Sequence, residues 1–528
     1  MKRVTIICPF DDSLPLQVTS YRAFMPRYGM LTVSAALRDS GYRVTAYCEL
    51  SGSRVHWPTV LRSDAVCFSL MSFSSHRGYA MADRVRRARP DVPIIFGGSH
   101  ASVLPEDCLE HADYVVRNEG EETVQELLHT LFSGGDVSAI RGLSWRGEHD
   151  APMHNPPRPF MQKLNRMADP LLVQGYGPRS LPFYIKDTLR NGVPRFNIAV
   201  TQASRGCPYN CRFCFVKQEL GTAYRIREPE LVVREIEHSL KTLNTRYVFF
   251  ADNDVALRRE YALELFRLLR ERFGGDLDMF FFSRIFIARD AELMQAIQAA
   301  GRACIGVGIE SLEPETLDTF DKRQRLSDIH ECLSLFGKYD VKLQILFVFG
   351  SDTDTPDSMR KALDMALHYR VYNWGFCSLY DFPTRQAVTG FEQSLPDERF
   401  IHRDWRFYSG NFVVHYPLRM KPSTLQRAMR SYYRTFYRTN RDTFYQYHPI
   451  QATYEHYIPF LERAERGMYD HGGILRTDRL PGPLTQNKRI NITFRKRDLL
   501  PELARFYSQN LTRRQAWDYL LSLFGNKS

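Results

Sequence analysis

Short apolar runs alternate with helical stretches over the first 150 residues of the chain. The apolar runs predict buried strands near Val4–Cys8, Arg43–Tyr47, Ala65–Leu70, Pro93–Phe96 and Tyr114–Val116. Apolar residues at helical spacing between them predict helices at Gly29–Ser40, His76–Arg89 and Glu122–Phe132. This alternation is typical of a parallel sheet. We therefore predict a doubly wound, Rossmann-like α/β domain over 1–150, with its ligand at the carboxyl ends of the strands.

The alternation resumes after a segment rich in proline and glycine, 151–195, which we interpret as a linker. Strand Phe196–Thr201 leads into a cysteine-rich loop, and helix Pro229–Leu243 follows it. The later predicted strands are Tyr247–Ala251, Met279–Ser283, Ala303–Ile309, Leu343–Gly350 and Asn373–Leu379. Six such units predict a partial (β/α)6 TIM-type barrel over 196–386, with functional residues on the loops that follow the strands.

The periodic pattern ends beyond Gln386, and the composition becomes aromatic and basic, as in 431–438. This predicts a mainly helical region over 387–528, with a last amphipathic helix at Arg513–Phe524. We expect its aromatic side chains to pack on the barrel rather than stack on nucleic-acid bases. The region is expected to close the barrel mouth and to shape a substrate site.

Composition excludes several classes of protein. The 528 residues exceed the size of a single core, and the 10 cysteines are too scattered for a disulfide framework, which favours a reducing cytoplasm. No apolar run approaches the roughly 20 residues of a transmembrane helix. The net charge is +11, but basic and acidic residues are interspersed along the chain. Only the basic run 487–497 is a weak candidate for contacting nucleic acid. A nucleic-acid partner is therefore not expected.

One motif carries the chemistry. Cys207, Cys211 and Cys214 form a Cys-x3-Cys-x2-Cys triplet, and no histidine follows before His238. A structural zinc site would need a fourth ligand close by. Three thiolates on a four-iron cluster leave one iron open, so the spacing predicts an iron–sulfur centre that binds and reduces a small molecule.

The triplet, with Phe213 before its third cysteine, resembles the signature of radical SAM enzymes. The resemblance implies a [4Fe-4S] cluster on Cys207, Cys211 and Cys214, with S-adenosylmethionine (SAM) chelated to the open iron. It also implies an external one-electron reductant such as flavodoxin or ferredoxin.

Two later strand ends, 250–254 and 306–311, resemble family sites near SAM. Carboxylates and hydroxyls suit an ammonium group and a ribose, which makes Asp252, Glu310 and Ser311, together with Phe213, the candidate SAM residues. We expect Asp254 to cap a helix or to face solvent.

Two arginines, Arg225 and Arg227, follow the cysteine loop. They are expected either to touch a cofactor or to pair with Glu228 and Glu230.

The N-terminal domain resembles the cobalamin-binding domain of many radical SAM proteins, on the runs 96–106 and 113–122. Adjacent glycines at a strand end let a large ligand approach the backbone. The candidate cobalamin residues are Ser69, Ser72, Gly97, Gly98, Ser99, His100, Glu119 and Gly120.

The sequence lacks the Asp-x-His-x-x-Gly motif whose histidine ligates cobalt in some cobalamin proteins, as do many cobalamin radical SAM enzymes. His76 and His100 are possible neighbours of the corrin ring, but polar surface positions are the simpler expectation for both.

Together the resemblances imply an enzyme that generates a 5'-deoxyadenosyl radical and functionalises an unactivated centre of a lipid, tetrapyrrole or natural product. C-methylation is the leading hypothesis, and radical cyclisation or rearrangement is the alternative. RNA modification is disfavoured because Cys8, Cys48, Cys67 and Cys108 are dispersed and the C-terminus has a helical pattern. A non-catalytic electron carrier or cobalamin sensor would have little use for an open iron.

Overall fold

The first domain contains a seven-stranded sheet. The computed structural model describes residues 1–11, 23–178, 196–384, 386–390, 393, 395–439, 450–480, 482–483 and 490. In spatial order the strands are Arg43–Cys48, Arg3–Cys8, Ala65–Ser69, Ile94–Gly97, Tyr114–Val116, Leu143–Arg146 and Pro152–His154. The first five strands pair in parallel, and each of the last two pairs antiparallel with the strand before it. The parallel order is that of a doubly wound fold, as predicted.

Helices cover this sheet because its strands are apolar on both faces, as in Val4, Ile6 and Ile7. The helices are Tyr28–Asp39, Trp57–Val60, Ser75–Ala88, Ser99–Val103, Pro105–Leu109 and Glu121–Ser133. The edge strand Pro152–His154 continues the sheet beyond residue 150, and the connecting segment follows it.

The second domain is a six-stranded parallel sheet in sequence order, the partial barrel that the alternation predicted. Its strands are Ala199–Thr201, Tyr247–Phe250, Leu277–Ser283, Gly301–Glu310, Lys342–Phe349 and Asn373–Ser378. Its helices are Val216–Leu220, Pro229–Leu243, Arg259–Phe273, Ala291–Ala300, Pro314–Thr319, Leu326–Phe336 and Pro356–His368. The first strand is shorter than predicted, because Phe196–Asn197 pairs with Ala23–Phe24 and not with the barrel.

The region after the barrel contains helices Gln386–Thr389, Pro422–Thr439 and Ile450–Ala464. The Tyr433 ring lies 4.8 Å from Phe376, and the Phe436 ring lies 5.7 Å from Trp374, so these aromatic residues do pack on the barrel. The predicted helix at 513–524 lies outside the described residues. None of the helices in the described ranges combines the length and apolarity that a bilayer crossing requires.

A buried ion pair within the barrel also contacts the first domain. Arg227 donates to Glu235 at 2.8 Å, and the Glu235 side chain also accepts hydrogen bonds from Thr201, from the backbone of Ala168 and from Tyr28 of the first domain. Glu235 is 0% exposed. A buried charge is tolerated only when it is paired and hydrogen-bonded, so this carboxylate fixes how the first domain, the connecting segment and the barrel meet.

Replacing Glu235 by glutamine should lower the free energy of unfolding by about 3–5 kcal/mol, because it leaves the buried Arg227 charge without a counterion. Thermal or urea unfolding measures the loss. The matched control is Glu292→Gln, which breaks an exposed pair with Arg259 and should change stability by less than about 0.5 kcal/mol. Equal effects of the two substitutions would contradict the structural role assigned to Glu235.

Candidate active site

The three cysteines lie on a loop at the carboxyl end of the first barrel strand, and the two ends of this loop pair with each other. Its stems are the antiparallel pair Ser204–Arg205 and Arg225–Ile226, in which Arg205 stands directly opposite Arg225. Gly206 has φ +89, and a Cβ there would lie 2.1 Å from the Ala223 carbonyl oxygen. Only glycine fits this turn, which brings the two stems together and holds the loop closed.

The thiols of Cys207, Cys211 and Cys214 are partly buried and close enough to interact electrostatically. Burial raises the pKa of all three, that of Cys214 to about 11, while Arg284 and Lys322 act in the opposite sense on Cys207 and Cys211. Cluster ligands must be deprotonated, so three thiols beside two cations have the chemistry that an iron–sulfur cluster requires.

In the part of the chain that the structure describes, no three His, Cys, Asp or Glu side chains already stand in the arrangement of a metal site.

The two cations are functional candidates that the sequence reasoning missed. The Arg284 guanidinium lies 3.8 Å from the centre of the Tyr209 ring in the cysteine loop and donates to the Lys322 carbonyl oxygen at 3.0 Å. Lys322 forms a 2.8 Å ion pair with Glu310. Arg284 directly follows the barrel strand Leu277–Ser283, a position where functional residues are expected, whereas nothing local marks Lys322.

The predicted SAM residues Glu310, Ser311 and Phe213 lie on the same side of the barrel mouth. Glu310 ends its strand with φ +67, an uncommon conformation for a residue with a side chain. Lys322 links it to Phe213, since its Nζ lies 5.9 Å from the centre of that ring. The hydroxyl of buried Ser311 accepts a hydrogen bond from the Glu313 backbone, which orders the loop after the strand.

Asp252 has a structural role that the sequence reasoning did not foresee. Its carboxylate accepts hydrogen bonds from the backbone N–H of Ala203, at 2.9 and 3.1 Å, and from the Ser204 hydroxyl, at 2.5 Å. Burial raises the pKa of Asp252 to about 6, although these hydrogen bonds favour the charged form. Asp252 thereby anchors the chain just before the cysteine loop.

Asp254 lies on the same strand-end loop as Asp252. It is buried and accepts a 2.8 Å hydrogen bond from Ser283, so the solvent-facing position expected for it is wrong.

A cavity of about 220 Å³ opens at the carboxyl edge of the first sheet. Most of its wall is apolar or glycine, and its far side is formed by the barrel residues Gln202, Arg205 and Leu220. Ligands of doubly wound folds bind at this edge. The other lining residues are Ile6, Gly29, Met30, Val33, Cys67, Phe68, Ser69, Ile95, Phe96, Gly97, Gly98, Val116, Asn118, Glu119, Gly120, Glu121 and Val124.

Five of the eight predicted cobalamin residues line this cavity: Ser69, Gly97, Gly98, Glu119 and Gly120. Gly98 has φ +90, and a Cβ there would lie 2.7 Å from the Leu70 carbonyl oxygen, so this glycine is required by the backbone itself. At Gly97 the nearest atom to a Cβ would be 3.5 Å away, so its missing side chain serves the cavity rather than the fold.

The other three predicted cobalamin residues, Ser72, Ser99 and His100, do not belong to the cavity wall. His100 is 0% exposed and hydrogen-bonds to Tyr79 at 2.7 Å and to Ser72 at 3.1 Å. Burial raises the pKa of Glu219, and the Ser99 side chain acts in the opposite sense.

The expectation of surface histidines is wrong for both candidates. Burial lowers the pKa of His100 to about 3, so it stays neutral, and its ring meets Trp405 of the C-terminal region. His76 is half-buried with its Nε2 3.4 Å from Asp404. Among the described residues, no histidine lines the cavity.

Buried ion pairs connect the cavity to the cysteine loop. Arg205 contacts Glu119 at 3.2 Å and Glu121 at 2.7 Å, and Arg225 contacts Glu119 at 2.9 Å. In Glu121, burial opposes ionisation, but the Arg205 charge prevails and lowers the pKa.

These contacts correct the expected pairing of the two arginines after the loop. Arg225 bonds to Glu119, more than 100 residues earlier, and Arg227 bonds to Glu235, so the pairing with Glu228 and Glu230 is wrong. A single sequence carries no signal of such long-range partners.

Comparison with known proteins identifies the families of the two domains. Residues 201–366 match the model of the radical SAM superfamily, and residues 16–128 match that of the B12 binding domain. An uncharacterized methyltransferase of Pyrococcus horikoshii is 23% identical over 77% of this chain and 84% of its own. The anaerobic magnesium-protoporphyrin IX monomethyl ester cyclase of Rubrivivax gelatinosus is 24% identical over 78% and 70%.

Among solved structures, the radical SAM methyltransferase TsrM of Kitasatospora setae superposes with a TM-score of 0.57 at 21% identity, over 71% of this chain and 73% of that one. At this identity the likeness concerns the fold. The cavity edge and the cysteine loop thus lie on an architecture that known enzymes share.

The chain belongs to the cobalamin-binding radical SAM enzymes. Its cofactors are accordingly a [4Fe-4S] cluster, SAM and cobalamin.

Cys211→Ala should abolish cluster binding and leave the protein still able to retain cobalamin, because the Cys211 thiol does not line the cavity. Iron, sulfide and cobalamin are quantified after anaerobic reconstitution. The control is Cys332→Ala, in a buried helix outside the loop, which should retain the cluster. Retention of a full cluster by Cys211→Ala would contradict the ligand assignment.

Gly97→Leu should have the opposite effect, with cobalamin binding lost and the cluster retained, because the new side chain occupies the cavity wall without striking the backbone. Cobalamin retention after gel filtration is the measurement. Gly177→Ala, at a position with open space around it and no left-handed backbone, controls for glycine replacement as such. Unchanged cobalamin content in Gly97→Leu would remove this cavity as the cobalamin site.

Proposed function

We propose that the enzyme transfers a methyl group to an unactivated carbon of a small molecule. The observation that carries the proposal is that one cavity is walled by both the cobalamin-type sheet and the stem of the cysteine loop, through Gly97 and Arg205. Methyl transfer to a substrate radical needs the methyl donor and the radical source within reach of one substrate. The similarity to a methyltransferase of Pyrococcus horikoshii supports the same outcome.

We propose Glu310, Ser311 and Phe213 as SAM contacts, with Lys322 as an additional one. Lys322 and Glu310 form an ion pair beside the thiols, and such a pair can exchange partners with the ammonium and carboxylate of an amino acid. Asp252 is assigned to holding the cysteine loop rather than to SAM, because Ala203 and Ser204 already satisfy its carboxylate.

For cobalamin we propose Ser69, Gly97, Gly98 and Gly120, which belong to the largely apolar wall of the cavity. When bound, the cofactors supply an electron, a 5'-deoxyadenosyl radical and a methyl group. The chain itself binds and orients them and keeps water away from the reacting atoms.

Half-buried phenylalanines narrow the barrel interior. Phe249, Phe280 and Phe282 form a cluster with ring centres 5.0 to 6.1 Å apart, and a Cβ at Gly306 would strike Phe282 at 2.6 Å. A substrate is therefore held between the mouth and the cavity, away from solvent entering through the barrel.

Buried aromatic residues that follow the barrel strands pack against the end of the cysteine loop. The Phe215 ring, next to Cys214, lies 5.3 Å from Phe382, and Phe382 stacks on Tyr408 at 5.6 Å. Aromatic walls bind flat or apolar molecules well. We infer that the substrate is a lipid, tetrapyrrole or other natural product, and that the C-terminal region shapes its site.

The reductant is assigned to a small acidic electron carrier such as flavodoxin or ferredoxin. Exposed Arg212 and Lys217 lie on the cysteine loop, where complementary charge would steer an acidic partner towards the cluster.

Cyclisation or rearrangement without methyl transfer is the second candidate. The similarity to the Rubrivivax cyclase favours it, since the same radical chemistry serves both outcomes.

Incubation of the reconstituted enzyme with methyl-labelled SAM and candidate substrates should transfer the label to the product. Mass spectrometry detects the transferred methyl group, and chromatography detects 5'-deoxyadenosine. The Cys211→Ala variant should yield neither product. An altered but unlabelled product, formed together with deoxyadenosine, would replace methylation by rearrangement.

A further inference from the structure

The two stems of the cysteine loop converge on one carboxylate of the other domain. Arg205 and Arg225 are opposite residues of the stem ladder, and both guanidinium groups contact Glu119. Glu119 also accepts a 2.7 Å hydrogen bond from the backbone of Met161, so its oxygens are fully engaged by protein groups. All three charged side chains are buried. Glu119 therefore pins the closed end of the loop.

The same residues form part of the cavity. Glu119 and Arg205 line it, and so does Leu220, whose carbonyl oxygen accepts a hydrogen bond from Arg225 at 2.5 Å. Arg205 is two residues before Cys207, and Leu220 is six residues after Cys214. The cavity wall and both ends of the cysteine run are thus one hydrogen-bonded unit.

We propose that Glu119 is a positioning residue that ties the cysteine loop to the cavity, so that cobalamin in the cavity and the cluster on the loop favour each other's binding. It acts through Arg205 and Arg225 rather than by touching reacting atoms.

A physical reason supports this link. In a buried site an arginine that loses its carboxylate cannot turn to water without disrupting its surroundings, so the ladder and Glu119 move together or not at all. A ligand that fixes the wall at Glu119 and Leu220 then lowers the ordering cost of the loop, and a cluster that fixes the loop does the same for the cavity. Coupling of binding free energies is necessarily reciprocal.

The inference rests on the cofactor assignment of the proposed function but not on the identity of the product. It is tested without SAM or substrate, by binding alone. Absence of methyl transfer would leave it standing, and absence of coupling would leave methyl transfer standing.

The experiment measures the hydroxocobalamin dissociation constant of the full chain, anaerobically, with and without reconstituted cluster. Equilibrium dialysis with cobalt quantification avoids the overlap of the absorption spectra. In the unaltered protein the cluster should tighten cobalamin binding about tenfold, within the roughly 5–150-fold range of coupled sites. In Glu119→Gln this ratio should fall to about one while each cofactor still binds. A ratio of one in the unaltered protein, or a tenfold ratio in Glu119→Gln, would overturn the proposal.

The reciprocal measurement is the rate at which a chelator removes iron from the cluster. Cobalamin should slow this rate in the unaltered protein and should leave it unchanged in Glu119→Gln. Glu121→Gln removes the charge that pairs with Arg205 while leaving the contacts of Glu119 in place, and should give an intermediate ratio. If Glu119→Gln does not fold, as judged by circular dichroism, this second variant decides, and an unchanged ratio in it overturns the proposal. Glu292→Gln, on the barrel exterior, should keep the ratio of the unaltered protein.

Discussion

The arrangement of this protein depends on the buried contacts of Glu119 and Glu121 with Arg205 and Arg225. Ion pairs of this kind contribute little net stability, because desolvation offsets most of the attraction. Their effect is on geometry, since any other docking of the two domains would leave charges buried and unpaired. The cost of those alternatives selects one relative position of sheet and barrel, and in that position the carboxyl edge of the sheet meets the cysteine loop.

Both domains present their strand ends to this junction for the same reason. Parallel strands joined by helices end at one edge, and the loops at that edge have side chains free for ligands. Asp252 and Glu235 then fix the loop from the barrel side, through Ala203 and Ser204 and through Arg227. The two stems of the cysteine loop are thus held by residues of the first domain and by residues of the barrel, and the three thiols lie on the loop between the stems.

The periodic parts of the molecule were predictable and the pairings were not. Alternating strands and helices, the Cys-x3-Cys-x2-Cys spacing and the Gly97–Gly98 turn are local patterns, and the structure contains the strands, the loop and the cavity where they were expected. Glu119 was expected to touch a ligand, and it lines the cavity, but its arginine partners lie far along the chain. His100 was misread because burial depends on Tyr79 and Trp405, which no local pattern links to it.

The space left by this architecture limits the substrate. Half-buried phenylalanines narrow the barrel interior, the first sheet is packed on both faces, and Phe215, Phe382 and Tyr408 pack together beside the cysteine loop. In the proposed function, a substrate with an apolar body binds beside these rings, on the side of the C-terminal region. Substrate choice is then proposed to belong to the aromatic, non-periodic part of the chain, whereas the cysteine loop and the cobalamin-type cavity belong to its periodic domains.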